Sequence, residues 1–206
     1  MEARAVIHGI VRALREPVRV LAESAARGGT VRQKEAGAEA EFFLGTLGSL
    51  FGSASSRSGP ATAGELAGAA AAKARERFPE VIFELGDDNP RRFVCYADEV
   101  TQAIGMLLDN AAEANPRRGA VVRIRCSSDQ GRAVIEISDD GPGLDSAARR
   151  KLFKPFWTTK PGHRGLGLYF ARIVLERNEA GIVLAGSPSG GALARVSFPL
   201  VTEVSS

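Results

Sequence analysis

Residues 107–114 read LLDNAAEA, and what surrounds this short stretch decides the fold. The apolar periodicity predicts a helix from about Ala97 to Ala114. Asn110 and Glu113 are three apart, so on that helix they share a face. An asparagine carbonyl oxygen on a helix is a suitable ligand for Mg²⁺ held against phosphates. Taken alone, such a pair is more often a solvated helix face.

Toward the C-terminus, DDGPG (139–143) follows directly on the strand-like run RAVIEIS. Asp139 can accept a hydrogen bond from an exocyclic amine such as that of adenine. Gly141 and Gly143 let the backbone approach a flat base and take up dihedrals forbidden to other residues. A plain turn would look the same. Next, GHRGLGLYFAR (162–172) opens a helix near residues 166 to 178. Free N–H groups at a helix start attract phosphate, and Gly165 and Gly167, either side of Leu166, permit close approach.

Around these clusters the chain alternates helices with strands. TAGE, from Thr62 to Glu65, is a capping box that opens an alanine-rich helix ending at Phe78-Pro79. VIFEL and RFVCY read as short strands around GDDNP, AVVRIRC and RAVIEIS as a hairpin across SSDQG, and GIVLAG and ALARVSFP as a last hairpin. The pattern predicts an α/β sandwich over residues 59–206. GSASSRSGPA (52–61) is a linker or helix end.

Residues 1–58 read differently. Ile7, Val11, Leu14, Val18, Leu21 and Ala25 follow a 4-3-4-3-4 spacing, and Ala36, Ala40, Phe43, Leu47, Leu50 and Ala54 repeat it after RGGT. Two such stripes predict an antiparallel helical hairpin with narrow seams. A hairpin alone buries too little to be stable, so two copies are expected to pair as a homodimeric four-helix bundle. The fold class is therefore α+β, a helical hairpin followed by a sandwich.

Composition bounds the function. Hydrophobic content of 44% and charged content of 25% suit an ordinary globular chain. The net charge of +3 comes from scattered arginines without an aromatic-interleaved basic strand, so no nucleic-acid partner is expected. No apolar run nears the roughly 20 residues that span a bilayer, and the N-terminus does not read as a signal peptide. Cys95 and Cys126 are isolated in strand-like runs, which points to a reducing, cytoplasmic setting.

Taken together, a helical Asn, D-x-G-x-G after a strand, FKPFWTTK (153–160) and GLGL (165–168) before a helix resemble the ordered signature of the histidine-kinase ATP-binding domain. This is the GHKL group, which also holds gyrase and MutL, and the resemblance covers roughly residues 62 to 200. LLDNAAEA and LYFARIVLERNEAGI are especially similar to sensor kinases of the RegB/PrrB type. The resemblance implies ATP and Mg²⁺ as cofactors, with Asn110 as metal ligand, Asp139 as adenine reader and Glu113, Gly141 and Gly143 beside them. It places Phe153 and Phe156 in a phenylalanine box, and Lys160 to Gly167, including Arg164, Gly165 and Leu166, in a lid over the phosphates. One departure stands out: His163 and Arg164 precede GLGL where the family usually has glycine-threonine. Arg164 reads either as a phosphate donor or as a solvated lid residue, and His163 as a surface lid residue.

In such kinases the hairpin carries the phosphoacceptor box H-[ED]-L-R-x-P. RALREP (12–17) matches it at Leu14, Arg15 and Pro17, but Arg12 takes the histidine position and Ala13 the acidic one. A guanidinium stays protonated and has no free lone pair for attack on phosphorus, and Ala13 removes the base. His8 lies one turn earlier on the same face, followed by Gly9 rather than an acid.

Three readings follow. The first expected role is a Mg·ATP-binding, two-component signalling protein without phosphotransfer of its own, acting through a response regulator or a partner kinase. The alternative is an active sensor kinase that uses His8, or phosphorylates a partner, and passes phosphate to a regulator aspartate. A GHKL ATPase or anti-sigma-type kinase is the third. It falls behind because the position four before Asn110, where those relatives carry an activating glutamate, is Met106.

Overall fold

The computed structural model describes residues 57–86, 90–144, 149, 151–160, 163–187 and 190–200, with scattered positions before 57. The chain divides into two compact units, 1–56 and 57–206. In the first unit Arg19 and Glu23 are helical and paired at 2.8 Å. His8, Arg12 and, apart from the helical Ala40, the expected hairpin seams lie outside the described residues.

In chain order the second unit runs β1 (Gly59–Thr62), α1 (Ala63–Arg77), β2 (Ile82–Gly86), β3 (Arg92–Cys95), α2 (Ala97–Ala114), β4 (Val121–Asp129), β5 (Arg132–Ser138), α3 (Gly167–Arg177), β6 (Gly181–Gly186) and β7 (Ala192–Pro199). Among the described residues, five strands form a mixed sheet in the order β2-β4-β5-β7-β6, and β1 pairs with β3 in a separate ribbon. Only β2 and β4 are parallel in the larger sheet.

Period-two alternation decides which face is covered. Ile124 lies opposite Ile137, which in turn lies opposite Ala194, and Cys126, Ile135 and Val196 form the next row. All six are buried, beneath the helices that pack on this face. On the other face Arg195 bridges Glu136 and Asp129, and Arg123 pairs with Glu84 at 3.2 Å. One apolar face and one charged face make a two-layer fold with the sheet open to solvent on its back.

The helices supply the other half of the core. Val100, Ile104 and Leu108 of α2 are completely buried, as are Ala63, Ala67, Ala71 and Ala74 of α1 to within 1%. The small alanine side chains let α1 approach α2 closely. Thr62 caps α1 as the sequence predicts: its hydroxyl accepts from the Glu65 N–H at 3.2 Å, and the Glu65 carboxylate accepts from the Thr62 N–H at 2.8 Å. The ribbon is joined to the sheet by Phe93 stacked on Phe198, ring centres 4.1 Å apart.

Three readings need correction. Gly59 to Ala61, expected in a linker or helix end, belong to a strand, because β3 offers an antiparallel partner from Gly59 to Thr62. VIFEL and RFVCY do not pair with one another: β2 joins β4 and β3 joins β1. The β4–β5 loop is two residues rather than five. Gln130 and Gly131, at φ 46° and 73°, make the turn, and Ser127 to Asp129 extend the strand.

The junction of α2 with α3 is polar. The Asn178 side chain accepts from the Tyr96 N–H at 2.8 Å and donates to the Val174 carbonyl at 2.8 Å. Beside it Glu99, 1% exposed, faces Arg177 at 3.6 Å, and the Arg177 guanidinium lies over the Tyr96 ring. Burial, with Glu99 adding its charge, pushes the Cys95 thiol up to about 11.

Candidate functional site

The end of β5 delivers Asp139 into a tight environment. Its N–H donates to the Ala192 carbonyl at 3.1 Å, and its Oδ1 accepts from the N–H groups of Gly141, at 2.9 Å, and Ala192, at 3.1 Å. The residue is 5% exposed. One carboxylate oxygen is thus fixed by two amides, and no described residue takes Oδ2. That oxygen is an acceptor aimed by its twin. Two glycines make the arrangement fit. A Cβ on Gly141 would lie 2.9 Å from Asp139 Oδ1 and 3.1 Å from the Ala114 Cβ, and one on Gly191, at φ +75°, would collide with the Asp139 carbonyl.

Asp140 ties this turn to the end of α2. The Asn115 side-chain amide donates to its Oδ1 at 3.0 Å and to its carbonyl at 3.3 Å, and Arg117 donates to its Oδ2 at 2.9 Å. Desolvation pushes the Asp140 pKa up, but the Arg117, Asn115 and backbone Val121 hydrogen bonds outweigh it and hold the carboxyl below its usual range. The turn bearing Asp139 therefore sits against the last turn of the helix bearing Asn110 and Glu113.

Lys160 comes to the same helix from the other side. Its ammonium donates to Asn110 Oδ1 at 3.1 Å, to the Asn110 carbonyl at 3.3 Å and to Glu113 Oε2 at 2.9 Å. His163 Nδ1 lies 3.6 Å from that Glu113 oxygen. The Lys160 N–H donates to Thr158 Oγ1 at 3.0 Å, which shapes the approach. A small cation already sits among these oxygens, so the donor set suits a hard, oxygen-preferring ion. No cluster of three or more His, Cys, Asp or Glu side chains occurs among the described residues. A Mg²⁺ ion here would thus draw its remaining ligands from phosphate and water.

The start of α3 completes the site. Leu166 occupies the cap position, and its side chain makes no hydrogen bond to the first N–H groups of the helix. Gly165, at φ +66°, is dictated by the chain itself, because a Cβ there would collide with the Trp157 backbone. At Gly167 a Cβ would meet nothing within 4 Å, which leaves open space over the helix start. Arg164 is exposed at the surface. Phe153 lies under the Arg172 guanidinium, 5.3 Å from its ring centre, whereas Phe156 is 50% exposed at φ 62°. Phe153 and Phe156 therefore sit in different surroundings, and Leu152 is a buried residue of that stretch.

Residues 95–202 match the family described as histidine kinase-, DNA gyrase B- and HSP90-like ATPases. The chain belongs to this family. The matched span opens at the end of β3 and holds α2, the Asp139 turn, Lys160, α3 and β7. Sensor protein kinase PilS of Pseudomonas aeruginosa is 32% identical over 104 residues, 48% of this chain and 20% of that protein. Nitrogen regulation protein NtrY of Azorhizobium caulinodans is 37% identical over 129 residues, 58% of this chain and 16% of its own length. The chain therefore spans a fifth or less of either relative. The solved ATP-binding domain of PrrB from Mycobacterium tuberculosis matches with a TM-score of 0.60 at 21% identity, covering 70% of this chain and 98% of that domain, a likeness of fold.

Within this histidine kinase-like ATPase fold, sequence reasoning missed Gly191, the Ala192 amide, Asp140, Asn115 and Arg117. The doubled aspartate in DDGPG and the polar NPRR after α2 were the visible signals for the last three. Nothing local marks Gly191, whose requirement comes from a distant turn.

Proposed function

We propose that this chain is a Mg·ATP-binding module of two-component signalling that does not phosphorylate itself at the usual position. The observation that carries the nucleotide reading is the fixing of Asp139 Oδ1 by two amides, which leaves Oδ2 to accept a hydrogen bond from the adenine amine. Asn110 would hold Mg²⁺, with Glu113 adjacent, and the metal would supply neutralising charge to the phosphates. The first amides of α3, beside the open space at Gly167, suit phosphate oxygens. Arg12, a guanidinium without a usable lone pair, stands where an attacking imidazole is required, and Ala13 cannot take a proton.

On this reading the protein works as a homodimer through residues 1–58, and engages a response regulator or a partner kinase in the cytoplasm. Among the described residues no helix is long and apolar enough to cross a membrane. Titration of the 206-residue chain with a non-hydrolysable ATP analogue tests the site. Asp139→Asn replaces the aimed acceptor and should weaken affinity by at least about tenfold, since a lost charged hydrogen bond is worth about 1.5–3 kcal/mol. Equal affinity in the two proteins would remove the basis of the assignment.

A further inference from the structure

Lys160 occupies an unexpected position for a lid residue. Its ammonium is seated on the oxygens that the nucleotide reading assigns to Mg²⁺, with Asn110 Oδ1 at 3.1 Å and Glu113 Oε2 at 2.9 Å. The contact joins α2 to a stretch some fifty residues further along the chain and is only 28% exposed at the lysine. Two cations cannot share these oxygens at close range in a partly buried site without strong mutual repulsion. We propose that Lys160 is a latch: without nucleotide its ammonium holds the lid on α2, and Mg²⁺ and Lys160 exclude one another at Asn110 and Glu113.

The proposal rests on the reading of Asn110 as the metal ligand and adds a regulated step to it. Asn110 and Glu113 would hold Mg²⁺ in place of the ammonium, so the oxygens of α2 would keep a compensating charge in either state. The lid is thereby coupled to the metal rather than to adenine, because Asp139 is held by Gly141 and Ala192 and makes no contact with Lys160. His163, 3.6 Å from the same Glu113 oxygen, follows the lid when it leaves.

Amide hydrogen exchange of residues 163–167 in the nucleotide-free, 206-residue chain reads the latch directly, with β4 and β5 amides as an internal check on folding. Lys160→Met should accelerate exchange about fivefold, and Glu113→Gln, which leaves the Asn110 bonds in place, by a smaller factor. The double variant should stay close to Lys160→Met, since that change alone already removes the ammonium's bonds to Asn110 and Glu113. A second arm titrates Mg²⁺ against binding of the ATP analogue. Lys160→Met should lower the Mg²⁺ concentration at half-effect, and Lys160→Arg, which keeps a cation, should leave it near the native value. Unchanged exchange in Lys160→Met, additive exchange in the double variant, or an unchanged or raised Mg²⁺ midpoint would each overturn the latch. A native chain that binds no analogue at any Mg²⁺ concentration would instead remove the nucleotide reading, while the exchange arm still reports on the contact.

Discussion

Asp139 and Asp140 are neighbours with opposite duties. Asp139 presents one oxygen outward because the other is taken by two amides, and Asp140 spends both oxygens on the end of α2. Asp140→Asn should therefore weaken analogue binding by letting the turn drift from α2, and should cost about 1 kcal/mol in a urea titration, given the exposure of Arg117. The carboxyl is held below its ordinary value of 3.8. Its stabilising share is complete above that value and disappears as pH falls through the lower folded value. The stability gap between native and variant, measured at pH 6 and again below pH 3.8, should shrink at the acid end. Asp139 was legible in the sequence because D-x-G-x-G after a strand carries its own geometry. Gly191 was not, since the carbonyl that forbids it a side chain belongs to another hairpin.

At the scale of elements, local rules succeeded where the partner was local. The Thr62–Glu65 capping box, the α2 bounds and the β4–β5 hairpin all follow from spacing within a few residues. Thr62→Ala should cost about 1 kcal/mol, within the usual range for a lost N-cap. The check is a shift of the denaturation midpoint with an unchanged slope. The β1–β3 ribbon and the parallel pairing of β2 with β4 were illegible for the same physical reason. Strand partnership across a helix is decided by which edge remains available after the sheet assembles, and no spacing within VIFEL or RFVCY encodes that. Phe93 illustrates the point: its strand reads as generic, yet its ring is placed by Phe198 from the far end of the chain. Lys160 is a similar case, because a lysine after TT is legible as lid chemistry but its seat on Asn110 is a long-range contact.

For the whole molecule, the deciding question is whether a sound ATP site serves an acceptor elsewhere. Incubation of the native chain with labelled ATP should give no acid-labile protein phosphate. The double change R12H and A13E restores both the imidazole and its neighbouring carboxylate, and should introduce such a label. Label on the native chain that disappears in His8→Ala would favour the reading in which His8 accepts. The ATP-binding half of this reading was visible in the sequence because its motifs are short and ordered. The homodimer is an expectation from the two apolar stripes of residues 1–58, whereas no motif of this chain specifies the regulator.

Asn178 finishes α3 through the Val174 carbonyl and at the same time receives the Tyr96 N–H at the head of α2, where no side chain of α2 itself serves as cap. A single carboxamide thus closes the tail of one helix and the head of another that lies some eighty residues upstream. Neither end can fray by itself, for loosening either strips the other of its partner. The Asn110 end of α2 and the Gly167 end of α3 are consequently tied together through their opposite, buried ends as one cooperative block.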